Sequence, residues 1–322
     1  MVKVFVDGSA GTTGLRIVER LGLRTDIELI RIPEALRKDK MTRQEAIRAA
    51  GVAFLCLPDE AAVEAAALAG EDTVVIDTST AHRTAPGWDY GFPELSGYRE
   101  KIAASKHIAN PGCHASGFIA LVEPLIRAGI VGGDADLSCF SLTGYSGGGK
   151  KMIAEYEAKE RPAAYASPRQ YGLTQQHKHL KEMQAVCGLE RAPLFCPVVA
   201  DFYSGMQVTV PLFTRNIRGS VENIKEIYRA YYPGPVVKYG DWAEPMLPAN
   251  ALAGRDDMLI SVTGNEERIL LIASFDNLGK GASGAAIQNM NLVLGLDETA
   301  GLNIRRKQNE NDFRRRLRRE RF

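Results

Sequence analysis

The sequence predicts an α/β chain in two parts: a doubly wound parallel sheet, then an α+β layer whose sheet is mostly antiparallel. Three observations carry this. Apolar runs of strand length alternate with helical patterns through the first 110 or so residues, which implies crossovers between parallel strands. A glycine-rich turn separates the first strand from the first helix. After Gly129 the alternation gives way to strands paired across short turns.

Size and composition fit this. The chain has 322 residues, enough for two domains, and 45% of them are hydrophobic. A net charge of +1 gives no global reason to expect a polyanionic partner. The charge is uneven, since residues 303–322 hold nine Lys/Arg and three Asp/Glu, a net of +6 that leaves −5 for the rest. Phe313 and Leu317 are too few to bury a face, so that tail is expected to be a solvated or disordered extension rather than a nucleic-acid arm. Five cysteines, an odd number without CxxC spacing, argue against a disulfide framework or a zinc knuckle and for a reducing compartment. The opening MVKVFVDGSAG lacks the pattern of a signal peptide, and no apolar run reaches membrane-spanning length, so a cytoplasmic protein without membrane contact is expected.

Val2 to Val6 is the first strand, followed by Gly8-Ser9-Ala10-Gly11-Thr12-Thr13-Gly14 and a helix on Leu15, Ile17, Val18 and Leu21. Strand, glycine turn and helix in that order form the context of a Rossmann-type dinucleotide site, where a pyrophosphate rests on a helix N-terminus. The spacing here is G-x-x-G-x-x-G, and such turns also occur without a ligand. The second strand, Glu28 to Arg31, ends on a base and not on the acid that would hold a ribose 2′-hydroxyl. Arg31, with Arg37 and Lys38 nearby, favours NADP over NAD, unless these are solvated surface charges. Val52 to Leu57 and Thr73 to Asp77 are further strands. Asp59 is the expected N-cap of the alanine-rich helix between them. The segment Asp77 to Arg83, which includes Ser79, leaves the carboxyl edge of the sheet, where ligands bind. Trp88 to Leu95 reads as a loop, and Lys106 to Ala109 as a returning strand.

That strand delivers Asn110-Pro111-Gly112-Cys113. Beyond it Phe118, Leu121, Val122, Leu125 and Ile126 form one helical face, with a kink expected at Pro124 and a stop at Gly129. Cys113 therefore sits at a helix N-terminus, where free N–H groups and the helix dipole favour a nucleophilic thiolate. A buried structural cysteine is the competing reading. Leu137 to Thr143 runs into Gly144-Tyr145-Ser146-Gly147-Gly148-Gly149-Lys150, either an anion-accommodating loop or merely a flexible one, followed by a charged helix at 151–159. Tyr171 precedes His177-Lys178-His179-Leu180-Lys181-Glu182. On a helix, residues i and i+2 do not share a face, so a general acid/base with an orienting carboxylate is preferred to a metal site, and a surface-exposed HxH remains open. Strands are expected at 194–198 and 206–212, a helix at 221–231, and an antiparallel pair at 258–262 and 268–275 turning at Asn265-Glu266. Asn277 to Gly284, including Gly281, is a second glycine-rich turn opening a helix at 285–294.

These stretches together resemble the N-acetyl-γ-glutamyl-phosphate reductase family, in the shorter of its two sequence classes. The likeness rests on GSAGTTG, on Asn110-Pro111-Gly112-Cys113, on the Ser-Gly-rich segment Gly144 to Lys150, on HKHLKE at 177–182 and on NLGKGASGAAIQNMN, and spans residues 1 to about 300. Two departures are Lys150 where an Arg is common and Ser204-Gly205 where many members carry Arg-Gly; the latter puts one anion contact in doubt. The resemblance implies an NADP-binding domain at 1–112 completed by a helix at 281–300, a catalytic and dimerisation domain at 113–280, and a homo-oligomer, dimer or tetramer. It implies that Cys113 attacks an acyl phosphate, that hydride from NADPH reduces the resulting thioester, and that N-acetylglutamate 5-semialdehyde leaves. His177, or failing it His179, would exchange protons, with Glu182 and Tyr171 orienting it or the substrate. Arg83, Asn110, Ser146, Lys150, Tyr171 and His179 are expected at the substrate. Gly8 to Gly14, Arg31, Ser79, Asn277 and Gly281 are expected at the cofactor, with no metal. Aspartate-β-semialdehyde dehydrogenase is the nearest rival, although its cysteine usually follows Asn directly, whereas Gly112 precedes Cys113 here. A reductase for a longer amino-dicarboxylate carrier substrate also competes, as does a non-catalytic NADP-binding regulator. An intact cysteine with the HKHLKE segment argues against the regulator.

Overall fold

The structure, a computed structural model, describes residues 1–304; all of the basic tail beyond Ile304 lies outside the described residues. Six strands build a wholly parallel sheet: β1 (Val2–Asp7), β2 (Ile27–Ile30), β3 (Val52–Leu55), β4 (Val74–Asp77), β5 (Asp89–Tyr90) and β6 (His107–Ala109), in the order β2-β1-β3-β4-β6-β5. The central strands β3 and β4 are buried at every residue, as expected of strands covered on both faces. The crossovers carry helices α1 (Thr12–Leu21), α2 (Lys40–Ala49), α3 (Asp59–Ala66) and α4 (Tyr98–Ala104).

Three local expectations need correction, and one helix is additional. Leu15 of α1 is exposed, and the buried face is Gly14, Ile17 and Leu21. Asp59 is not the N-cap of α3: Pro58 holds that place, and the Asp59 carboxylate accepts from the Thr80 amide at 2.9 Å and from its hydroxyl. Residues 89 and 90, expected as loop, form β5, a strand too short to show alternation. Helix α2 is mostly polar and buries only Ala46 and Ile47, so the sequence shows no apolar stripe there.

The second sheet holds β7 (Ser138–Gly144), β8 (Arg169–Gln170), β9 (Leu194–Ala200), β10 (Met206–Phe213), β11 (Val237–Tyr239), β12 (Met258–Gly264) and β13 (Arg268–Phe275), ordered β11-β12-β13-β10-β7-β9-β8. Its β12·β13, β13·β10, β10·β7 and β8·β9 pairs are antiparallel; β11·β12 and β7·β9 are parallel. Helices α5 (Cys113–Arg127), α6 (Gly149–Glu157), α7 (His179–Cys187) and α8 (Val221–Tyr231) accompany it, and α9 (Gly284–Val293) returns to the first sheet. Ala286, Ile287 and Met290 of α9 share a core with Val4, Val6, Ile17 and Phe54, while α5 lies in the core of the second sheet.

Helix α5 is buried from His114 through Leu125 and runs on through Pro124. Proline has no N–H to give the carbonyl four residues back, which is that of Ala120. The Tyr232 hydroxyl donates to that carbonyl at 2.8 Å, and the Tyr228 hydroxyl donates to the next, Leu121. Tyr232 thus satisfies the buried carbonyl that the proline leaves open, and together with Tyr228 it ties the end of α8 to the helix that carries the cysteine.

Candidate active site

Two cavities flank the glycine turn. Gly8 takes φ +81°, and a β-carbon there would collide with the carbonyl oxygen of Cys56. A β-carbon on Gly14 would stand 2.5 Å from the carbonyl oxygen of Gly8. The turn therefore closes only without side chains at these two positions. Gly11 is the N-cap of α1 and offers no side-chain cap, so the first amides of the helix are left for a ligand. On one side, a cavity of about 400 Å³ is lined by Gly8, Ser9, Ala10, Arg31, Arg37 and Lys38. Asp7 also borders it, neutralised by Arg43 at 2.8 Å, so its carboxylate does not oppose an incoming anion. Arg37 is paired with Glu34, whereas Arg31 has no ion-pair partner among the described residues.

On the other side, a cavity of about 460 Å³ runs from Thr12 and Thr13 to Cys113. Thr12 Oγ1 is buried with no hydrogen-bond partner among the described residues, an acceptor and donor waiting at the mouth of α1. A dinucleotide with a basic-facing ribose phosphate fits this pair of cavities: a side-chain-free turn, an uncapped helix N-terminus, an orphaned hydroxyl and a free Arg31.

Cys113 is the first residue of α5, with Gly112 as N-cap. The Gly112 amide donates to Glu182 Oε1 at 2.8 Å, and the Tyr90 hydroxyl donates to the same oxygen at 2.7 Å. Glu182 Oε2 accepts from Arg83 Nη1 at 3.1 Å. The other Arg83 nitrogens donate to the backbone oxygens of Asn110 and Thr78. Glu182 thus fixes the turn before the nucleophile and the adjacent guanidinium, and does not bond to a histidine. Both Arg83 Nη1 and His179 Nε2 are so near Gly112 that a β-carbon there would strike them. Burial pushes the Cys113 thiol up to about 11, against the pull of Arg83. Burial therefore opposes the thiolate expected from the helix terminus, and Arg83 offsets it only in part.

Helix α7 begins at His179, so His177 precedes it and the two histidines are not separated by a helical projection. The two imidazoles stand 4.8 Å apart between centroids and both line the cavity. His177 Nδ1 accepts the His179 amide at 3.2 Å, which places the proton of the neutral ring on Nε2. Burial, then the charges of Lys178 and Arg83, hold the His177 pKa below its usual value; burial and Arg83 hold that of His179 lower still. Both rings are neutral at physiological pH.

Asn110, Ser146, Tyr171, Asn277 and Gly281 also line this cavity. Asn277 Nδ2 donates to Ser146 Oγ at 3.0 Å and Asn110 Nδ2 to the Ala282 carbonyl at 3.1 Å, so both amides brace the glycine-rich turns. Lys150 does not reach the cavity: it is exposed on α6. Ser79 lies outside both cavities, its hydroxyl donating to Asp77 at 2.6 Å in the loop that aims Arg83. Three further residues, given no role from the sequence, belong to the sites. Lys178 lines the cavity as a second cation, Arg43 neutralises Asp7, and His114 adjoins the nucleophile. A lysine between two histidines is a visible signal for the first; nothing local marks the others. Among the described residues no group of three or more His, Cys, Asp or Glu is arranged to hold a metal, and no helix is long and apolar enough to cross a membrane.

Known proteins agree with this geometry. Residues 28–105 match a family model described as semialdehyde dehydrogenase, NAD binding domain, and residues 113–277 one described as semialdehyde dehydrogenase, dimerisation domain. Among solved structures, aspartate semialdehyde dehydrogenase II of Vibrio cholerae aligns with a TM-score of 0.69 at 16% identity, over 92% of this chain and 98% of that one. Aspartate semialdehyde dehydrogenase with NADP from Candida albicans aligns at 0.65 and 14% identity, over 91% and 98%. Likeness at such identities establishes the fold. Closer in sequence are the N-acetyl-gamma-glutamyl-phosphate reductases of Brucella ovis and Brucella melitensis, each 47% identical over 306 residues, 91% of this chain and 99% of theirs. With that identity over nearly the full length of both chains, this chain belongs to the N-acetyl-gamma-glutamyl-phosphate reductase family.

Proposed function

We propose that the chain reduces N-acetyl-glutamyl 5-phosphate to N-acetylglutamate 5-semialdehyde and phosphate with NADPH, reversibly, in arginine biosynthesis. The observation that carries the mechanism is the convergence of Cys113, two neutral imidazoles and two cations on one cavity that continues to the glycine turn.

The amides of α1 and Thr12 would hold the cofactor at the glycine turn, and Arg31 would face its ribose phosphate. When bound, it supplies the hydride. The chain's own residues do the rest. Cys113 Sγ bonds to the acyl carbon, the carbon–oxygen bond to phosphate breaks, and a thioester forms on the enzyme. Since the thiol rests protonated, its proton must leave as the carbon–sulfur bond forms, and His179 Nε2, beside Gly112, is the acceptor. His177, with its proton on Nε2, donates a hydrogen bond to the carbonyl oxygen as negative charge grows there. Lys178, and Arg83 through its charge, attract the phosphate and carboxylate of the substrate. Glu182 holds Arg83 and the Gly112 amide in place. After reduction, the carbon–sulfur bond breaks, the aldehyde leaves and the thiol regains its proton.

The chain acts as a homo-oligomer in this reading. The second sheet exposes Phe140, Leu194, Phe213 and Leu270 on strands of the matched dimerisation domain, an apolar surface that a second copy would cover. Five free thiols suit a reducing, cytoplasmic setting.

The test runs the reaction backwards, with N-acetylglutamate semialdehyde, phosphate and NADP⁺, beside aspartate semialdehyde and beside Cys113→Ala. Phosphate-dependent NADPH formation from the acetylated substrate alone, abolished in the variant, is expected. Turnover of aspartate semialdehyde instead would overturn the substrate assignment.

A further inference from the structure

The proposed reaction leaves one buried histidine unused. His114 follows the nucleophile directly and is 3% exposed. Its Nδ1 lies 2.6 Å from Ser141 Oγ on β7, and its Nε2 2.6 Å from the hydroxyl of Tyr171, which lines the cavity with Cys113. Phe195, His177 and His179 wall in the ring. Burial, with His177 alongside, pushes the His114 pKa down to about 3, so the ring is neutral and carries one proton.

That proton has two places open to it. On Nδ1, it would be donated to Ser141 Oγ, and Tyr171 would donate to Nε2. The hydroxyl proton of Ser141 would then have no acceptor, because this fully buried hydroxyl makes no hydrogen bond among the described residues other than the one to His114. A buried donor left without an acceptor loses its hydration and gains nothing in return, so this arrangement is disfavoured. On Nε2, the proton is donated to the Tyr171 oxygen while Ser141 donates to Nδ1. Both buried donors, the Ser141 hydroxyl and the His114 ring N–H, are then satisfied. The hydroxyl proton of Tyr171 is left to point into the cavity, and burial keeps that phenol un-ionised by pushing its pKa up.

Resting on the reaction proposed above, we propose that Ser141 and His114 form a fixed relay that makes Tyr171 a hydrogen-bond donor to a substrate oxygen beside Cys113. His114 is thereby a positioning residue: it sets the direction of a neighbour's proton and does not itself meet the substrate.

The experiment has two arms. In ¹⁵N-labelled protein, the His114 signal, identified by its loss in His114→Asn, is expected to show a protonated Nε2 and a bare Nδ1 from neutral pH down to about pH 5. A proton on Nδ1 overturns the relay. In the kinetic arm, Ser141→Ala and Tyr171→Phe are each expected to lower kcat/KM by about tenfold, and the double variant no further than Tyr171→Phe alone. Losses that multiply would show two independent effects and overturn the proposal. Should Ser141→Ala not fold, the wild-type spectrum still decides. The spectrum needs no turnover, so a wrong tautomer and a wrong reaction are told apart.

Discussion

The glycine turn and the thiol cavity both suit an anionic small molecule, and they are built in opposite ways. The turn is seven consecutive residues whose backbone does the binding, and its demands fall on glycines that a side chain would block. The cavity is assembled from stretches far apart in the chain, among them Arg83, residues 110–114, residues 143–149, residues 177–179 and residues 277–282. The first is a local constraint that the sequence displays in one place. The second exists only once two sheets have folded and brought Glu182 to Gly112 across 70 residues of chain. Damage should follow the same division: a change in the turn weakens one ligand, and a change in the cavity stops the chemistry.

The sharpest break between the two regions is Cys113→Ala. It should lower reduction by at least about 10³-fold while leaving NADPH affinity within about twofold, measured by fluorescence titration. Next in size is the pH dependence of the thiol itself. With its pKa raised to about 11, the reactive thiolate gains about tenfold per pH unit between 7 and 10, roughly 10³-fold in all. Iodoacetamide labelling of Cys113 in the free enzyme, followed by mass spectrometry, should rise with that slope. A plateau already reached at pH 7 would mean that the helix dipole and Arg83 outweigh burial. From the other region, Gly14→Ala forces a β-carbon against the Gly8 carbonyl and should weaken NADPH about 100-fold, about 2.7 kcal/mol, with Cys113 labelling unchanged.

What is legible in the sequence follows from the same contrast. The parallel sheet, the glycine turn, the helix behind Cys113 and the pair β12–β13 are all specified within short windows. The partners of Glu182 are not, because a carboxylate five residues after a histidine gives no hint that it will bond Gly112, Tyr90 and Arg83. His114 is silent for the same reason. Its partners stand 27 and 57 residues away, and in the sequence it is merely the residue after a cysteine. The HKHLKE segment stands out by composition, yet no local signal marks the helix start at His179 and not before, so its two histidines look further apart than they are.

Glu182→Gln probes that long-range assembly. The amide keeps one oxygen for Gly112 and Tyr90, which share Oε1, but loses the charge opposite Arg83. Roughly 10- to 100-fold should be lost from kcat/KM, with NADPH affinity unaltered, if Glu182 serves the cavity alone. A parallel loss of NADPH affinity would join the two regions into one cooperative unit and blur the contrast.

The smallest expected effect tests whether the local region also sets cofactor choice. Arg31 follows β2, lines the cavity beside the glycine turn, and has no ion-pair partner among the described residues. Its neighbour Arg37 is already paired with Glu34, which leaves Arg31 and Lys38 with charge to give to a ribose phosphate, and Arg31 stands directly at the end of β2. A partly exposed cation–phosphate contact is worth about 1.4 kcal/mol, so Arg31→Ala should raise KM for NADPH roughly tenfold and leave KM for NADH unchanged. The loss should shrink as salt is raised, since the contact faces solvent and is screened. An equal loss with both cofactors would place Arg31 at the diphosphate and not at the ribose. No loss with either would shift the preference for NADP onto Lys38, which lines the same cavity without an ion-pair partner among the described residues, and Lys38→Ala would then carry the effect.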